Sequence, residues 1–346
     1  MTDSAIPEPR IRKLLRSSST WLLLGIILVA LLTRIIELGA RVMSHDEINH
    51  VYFAWLWFDG GSYQHNPVSH GPLQFHLLNL SYFLFGDNDV SARLPAAFAG
   101  VAAIALVWPL RRWFKKRGAI AAAVLMLFSP YMLYYSRYAR NELFVVVETL
   151  LILWAIFRYL ETKENRWLYL LAASLALHAA TKETYYIQTA QWMIFLATWL
   201  IVQLLRSRWS SPRLKTWFGA SVFISIFGFG LALFEFLQER TAAGEAAVPM
   251  TSSLVFIGAA LGGVGLILVA FTLIRSFGTR LRDEFPVLDV LLVMTSLTLP
   301  LLGALPAQAF GWDPMAYSDT SSITRTSVVV LVLVIASLLL GCFWDR

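Results

Sequence analysis

A chain of 346 residues that is 58% hydrophobic and only 14% charged is too apolar for a water-soluble globule, because ordinary domains carry about 25% charged residues. Its formal net charge of +6 does not point to nucleic acid, since the basic residues sit between apolar runs in the alternating pattern that sets membrane topology. A single cysteine, Cys342, excludes an internal disulfide and a cysteine metal cluster.

The apolar runs are long enough for helices that cross a hydrocarbon core of about 30 Å, and they lack the strict alternation of a membrane barrel. They predict an all-α polytopic membrane protein of about ten transmembrane helices, near 20–38, 92–110, 118–135, 142–159, 167–181, 184–205, 217–236, 253–274, 286–303 and 326–343. Arg10, Arg12, Lys13 and Arg16 precede the first span, and each even-numbered connection is basic, as in Arg111, Arg112, Lys115, Lys116 and Arg117. The positive-inside rule places the tail 1–19 and these connections in the cytoplasm, and the odd-numbered loops outside. The first apolar run lacks a clear small-residue cleavage site and is expected to stay as an anchor.

The first outward loop, 39–91, opens with Ser44-His45-Asp46-Glu47-Ile48-Asn49-His50 and holds five of the six histidines. Stretches near 46–58 and 72–85 have helical periodicity and are divided by Gly60-Gly61 and Pro67, which predicts two helices lying on the membrane surface. Ser44 and Glu47 fit a helix capping box, which accounts for Glu47 but not for Asp46. An adjacent acidic pair at a membrane boundary costs free energy unless it is paired or used, so Asp46 is the sharper candidate for chemistry. On a helix His50 would stand beside either acid, which makes a divalent-cation site with His50 and His70 geometrically accessible; the plainer reading is that these histidines bond to loop backbone or headgroups. The turn at 136–142 places Arg137, Arg140 and Glu142 outside, and the turn at 182–184 adds Lys182, with Arg93 at the loop's end. Outward basic residues run against the topology trend; lipid-headgroup anchoring is the plain alternative. Arg34 and Glu37, three apart, are expected to pair. Beyond about 206 ionisable groups thin out, so the chemistry is expected in the first 190 residues.

Asn66-Pro67-Val68-Ser69-His70-Gly71-Pro72-Leu73, then Phe85-Gly86 and Ala92-Arg93-Leu94-Pro95, make this loop resemble the first outer loop of the GT-C glycosyltransferases. The similar group is that of the protein mannosyltransferases and aminoarabinose transferases (family 39 and its RgtA-like relatives). There an acidic pair follows the first helix, a Gly-Pro-Leu opens a surface helix, and Phe-Gly and Ala-Arg-Leu-Pro lead into the second span. Ser136-Arg137-Tyr138-Ala139-Arg140-Asn141-Glu142 and Ala180-Thr181-Lys182-Glu183 continue the resemblance over residues 20–205. Glu142 stands where many relatives have Asp, and Glu183 where many have Gly. The histidine-rich loop and Thr-Lys-Glu step look like the subgroup associated with flippase activity.

The resemblance implies a GT-C catalytic module at 20–205, followed by additional helices at 206–346 that are expected to be either compact or cut short. It implies transfer of a hexosyl or pentosyl unit from a polyprenyl-phosphate donor to a protein or glycan acceptor, on the outer face of a cell membrane, in contact with membrane lipids. Asp46, assisted by Glu47 and Glu142, would accept a proton or organise a divalent metal ion, and Arg93, Arg137, Arg140 and Lys182 would hold phosphate. Two other readings stay open: a non-catalytic partner of a lipid-sugar flippase, and a secondary transporter, which would call for ionisable groups near the bilayer midplane.

Overall fold

In hydrocarbon, backbone N–H and C=O groups have no water to bond to, so apolar segments of this length satisfy them internally as helices. The computed structural model describes all residues except 1–17, 63–69, 244–251, 311, 315, 317 and 346; most of the N-terminal tail, His65 and the Asn66-to-Ser69 part of the loop lie outside the described residues. Every regular element among the described residues is helical. The chain forms two compact units, Met1–Ile187 and Gln188–Arg346.

The first unit begins with α1 (Ser18–Ile35), followed by α2 (His45–Phe58), α3 (Leu73–Phe85), α4 (Asp89–Leu106), α5 (Arg111–Phe128), α6 (Pro130–Tyr135), α7 (Glu142–Thr162) and α8 (Asn165–Thr181). The division between the units falls inside α9 (Thr184–Arg206), and the second unit continues with α10 (Pro212–Ala243), α11 (Ser253–Phe277), α12 (Arg280–Glu284), α13 (Val287–Leu301), α14 (Ala304–Ala309) and α15 (Thr320–Asp345). Seven helical stretches among the described residues are long and apolar enough to cross a membrane. One of them, Asp89–Phe128, covers the expected span at 92–110 and, beyond the short 3-10 turn Trp108–Leu110, the first part of that at 118–135, whose remainder falls on α6. The expected spans at 167–181 and 286–303 fall on α8 and α13, which have 17 and 15 residues.

The two predicted surface helices are α2 and α3. Ala54, Phe75, Leu78 and Tyr82 pack with Ala92 of α4 in one buried cluster, each large apolar side chain removed from water contributing about 1.5–3 kcal/mol. Gly86, with φ +77, ends α3, and the Asn88 side chain accepts from the Val90 and Ser91 N–H groups at 3.0 Å to start α4. Pro95 lies inside α4 and has no N–H for the Ser91 carbonyl four residues earlier. That carbonyl accepts instead from Ser81 Oγ at 2.6 Å, so the proline of the Ala-Arg-Leu-Pro segment frees a group that fastens α3 to α4.

Arg34 is fully buried in α1 and donates from Nη1 to the Ala30 carbonyl and Thr33 Oγ1. The expected pair with Glu37 does not form. The helix ends at Ile35 and Glu37 takes a left-handed φ of +54, which destroys the three-residue helical spacing. In the second unit α10 and α11 cross at backbone distance. A Cβ on Gly228 would lie 2.3 Å from the Gly262 nitrogen, and one on Gly265 would lie 2.5 Å from the Ser225 nitrogen, the small-residue packing that lets membrane helices approach closely.

Candidate active site

Successive residues on a helix are rotated by about 100°, so the two acids in the first turn of α2 leave it in different directions. Glu47 points inward and is fully buried. Arg93 grips it with a two-point fork, Nε to Oε1 at 2.8 Å and Nη2 to Oε2 at 3.0 Å. Arg41 reaches Oε2 at 2.8 Å, and the N–H groups of Ser44 and Ala139 donate to Oε2 and Oε1, both at 3.1 Å. Burial alone would raise the Glu47 carboxyl, but these hydrogen bonds and the Arg93 charge outweigh it and leave it below its ordinary value.

Asp46 points outward, and its side chain is 53% exposed. Its Oδ2 accepts from Arg140 Nη1 at 2.5 Å. Arg140 Nε lies 3.6 Å from Glu142 Oε1, and the same Glu142 oxygen accepts from Lys182 Nζ at 2.9 Å. Asp46, Arg140, Glu142 and Lys182 therefore form one chain of alternating charge built from three separate turns. Glu142 Oε2 is buried and has no hydrogen-bond partner among the described residues. The chain sets two acidic against two basic side chains, and both cations keep donors beyond those these acids take.

The turn that carries Arg140 is held from three sides. Arg137 donates to the carbonyls of Thr33, Ile36 and Glu37 at 3.0, 2.7 and 2.9 Å, in the last turn of α1 and the residues after it. The Ala139 N–H is tied to Glu47, and its carbonyl accepts from buried Gln74 Nε2 at 2.6 Å. Ser44 Oγ meets the Tyr138 hydroxyl at 2.5 Å. On the other side, Lys182 follows α8 in extended backbone (φ −158, ψ 149). The Gly71 N–H bonds to the Thr181 carbonyl at 3.2 Å, an approach so close that a Cβ on Gly71 would stand 2.1 Å from the Ala180 carbonyl oxygen.

Three expected site residues take other places. Glu47 does not share an opening with Asp46: it is the buried anchor that joins α2, α4 and the 137–141 turn. Arg93 has no face toward a ligand, because it is itself fully buried and its Nη1 also bonds the Leu38 and Arg41 carbonyls at 2.9 Å each. Arg137 spends its guanidinium on backbone carbonyls.

His50 and His70 do come together, with rings stacked at 5.9 Å, but His50 is 4% exposed and packs on Phe75. His70 Nδ1 lies 2.8 Å from Glu183 Oε2. Burial, with Arg140 and His70 nearby, pushes the His50 pKa down to about 4, so its ring is neutral at physiological pH. Among the described residues no group of three or more His, Cys, Asp or Glu side chains is placed to hold a metal ion.

The turn at 136–142 and the step at 180–183 that carry this geometry lie in a stretch with a recognised pattern. Residues 69–230 match the family model of the dolichyl-phosphate-mannose-protein mannosyltransferases. The match includes Arg93, Arg137, Arg140, Glu142 and Lys182 and begins after Asp46 and Glu47. On a chain of apolar helices, the mannosyltransferase match supports a membrane glycosyltransferase of the GT-C type. No curated protein matches the chain.

Gln74, Ser44 with Tyr138, and Glu183 with His70 were not marked by any sequence pattern as partners of the site. Gln74 sits on the apolar face of a surface helix, and only the contact with Ala139 gives its buried amide a reason.

Proposed function

We propose that this chain transfers a sugar from a polyprenyl-phosphate donor to a hydroxyl acceptor on the extracytoplasmic face of the membrane, with residues 20–205 as the catalytic module. One observation carries the reading: the half-exposed carboxylate of Asp46 stands in a single ion-pair chain with Arg140 and Lys182, cations suited to a departing phosphate. In the proposed reaction Asp46 accepts the proton of the acceptor hydroxyl, and the acceptor oxygen bonds to the anomeric carbon. The bond from that carbon to the phosphate oxygen breaks, and the lipid phosphate leaves with the electron pair, held by Arg140 and Lys182. A donor phosphate that engages Arg140 displaces Asp46 from it, so donor binding itself releases the base. Glu142 holds Lys182 and Arg140 in register, and Glu47, Arg93 and Arg137 position the Arg140 turn without touching substrate.

Lys182→Gln tests the phosphate role. It is expected to weaken binding of the polyprenyl-phosphate donor by about 10-fold to 100-fold, the value of a charge-assisted hydrogen bond of about 1.5–3 kcal/mol. Affinity for an uncharged analogue of the donor should stay at the wild-type level in the same titration, and an equal loss for both ligands would make Lys182 a structural residue.

Gly71→Ala tests the docking of the loop on the 180–183 step. The added methyl must push His70 and Gly71 away from Ala180, and turnover is expected to fall by on the order of 100-fold, as for other small misplacements of reacting groups. Helical circular dichroism should be unchanged, and wild-type turnover would show that this contact does not position the site.

A further inference from the structure

On the other side of the Glu47 anchor lies a cavity of about 260 Å³ lined by Leu38, Arg41, Tyr134 and Arg137. Its charge is unbalanced. Arg41 reaches Glu47 Oε2, but that carboxylate is already forked by Arg93 and also takes the Ser44 N–H. One acid is thus divided between two guanidinium groups. Among the described residues Arg137 is bonded to the carbonyls of Thr33, Ile36 and Glu37, which carry partial charge. Two guanidiniums therefore face the cavity with less than one carboxylate between them.

Its walls suit a ligand that is part apolar. The Arg41 guanidinium lies over the rings of Tyr134 and Tyr138, at 5.5 and 5.0 Å from their centroids, which fixes the cation against an aromatic face. Tyr134 and Tyr131 are about half exposed, as are Leu32 and Ile36 at the end of α1, so an apolar border runs from the cavity onto the outside of a membrane-length helix. Interfacial anchoring explains an exposed tyrosine or arginine, but anchoring needs no cavity. Arginine forks match phosphate oxygens, those of lipid headgroups included.

We infer that this cavity is a second phosphate-recognising site, which binds the headgroup of an anionic membrane lipid and is separate from the Asp46 and Arg140 site. Arg41 would meet the phosphate, Arg137 would lend its charge from the cavity wall while bonded to the Thr33, Ile36 and Glu37 carbonyls, and Tyr134 would cover the glycerol end. The inference does not depend on the transfer reaction, because none of the four lining residues is assigned to the chemistry.

The test is lipid retention by the full chain, read by native mass spectrometry after reconstitution with phosphatidic acid or phosphatidylcholine. Wild-type protein should retain phosphatidic acid over phosphatidylcholine; Arg41→Gln should lower that preference by about tenfold, the scale of one charge-assisted contact, and Tyr134→Ala, which removes a ring that fixes the Arg41 guanidinium, should lower it by a smaller but measurable factor. Arg41→Lys should restore part of it, and Lys182→Gln should leave it intact. Because Arg41 also touches Glu47, Tyr134→Ala keeps the test valid if Arg41→Gln does not fold. Unchanged preference in Tyr134→Ala and Arg41→Gln, or a loss in Lys182→Gln, would overturn the assignment. Inorganic phosphate at the same concentration should not displace the lipid; full displacement would mean that the site recognises the free anion and not a lipid.

Discussion

Asp46→Asn is expected to abolish sugar transfer while leaving the protein folded. The change keeps the size of the side chain and removes the oxygen that would accept the acceptor's proton, a contribution of about 10²–10⁴-fold in turnover for general base catalysis. The structural cost is small, because Asp46 is half exposed and its pair with Arg140 belongs to the class of accessible ion pairs worth about 0–1 kcal/mol. A purified assay with a polyprenyl-phosphate sugar should show the loss in turnover, with a thermal midpoint close to wild type. Full turnover would mean that Asp46 only starts α2. Retained donor binding without turnover in the wild-type protein would favour a non-catalytic phosphate-binding partner.

Arg93→Met is expected to produce the opposite result, a protein that fails through its fold. Removing Arg93 leaves Glu47 buried with a charge shared only by Arg41 and two backbone N–H groups, and breaking one partner of a buried ion pair costs about 3–5 kcal/mol. The loss should appear as a lowered thermal midpoint and as faster amide exchange in α2 and the 137–141 turn, since Ala139 N–H bonds to Glu47. Normal stability with reduced donor affinity would instead place Arg93 in the ligand site.

The same anchor sets a dependence on acid. The folded Glu47 carboxyl lies below its ordinary value, so its contribution is fully present above the unfolded carboxylate value of about 4.3 and is lost as pH falls below that toward the folded value. Glu47→Gln should remove this acid-dependent part of the melting curve, measured from pH 7 down to the range where wild type unfolds.

Much of this protein was legible in residue order because membrane physics acts locally. A run of apolar residues has one stable form in hydrocarbon, so the helices and the first loop with its two surface helices follow from composition and period alone. Gly86 ends α3 and Asn88 starts α4 through backbone geometry that needs no distant partner. The acidic pair was visible for the same reason, as charge where the membrane boundary gives none for free.

What each acid does was decided by tertiary structure. Asp46 and Glu47 are neighbours in the chain and look alike there, but one helical step turns Glu47 onto Arg93 and Ala139, 46 and 92 residues away, and Asp46 onto Arg140, 94 residues away. The same holds for the cations. Arg93, Arg137, Arg140 and Lys182 are four basic residues that look alike in sequence; burial removes Arg93, backbone carbonyls at and after the end of α1 take Arg137, and Arg140 and Lys182 are left paired with Asp46 and Glu142. A charged side chain takes its role from the groups that compensate it, and those groups are assembled only when distant turns meet.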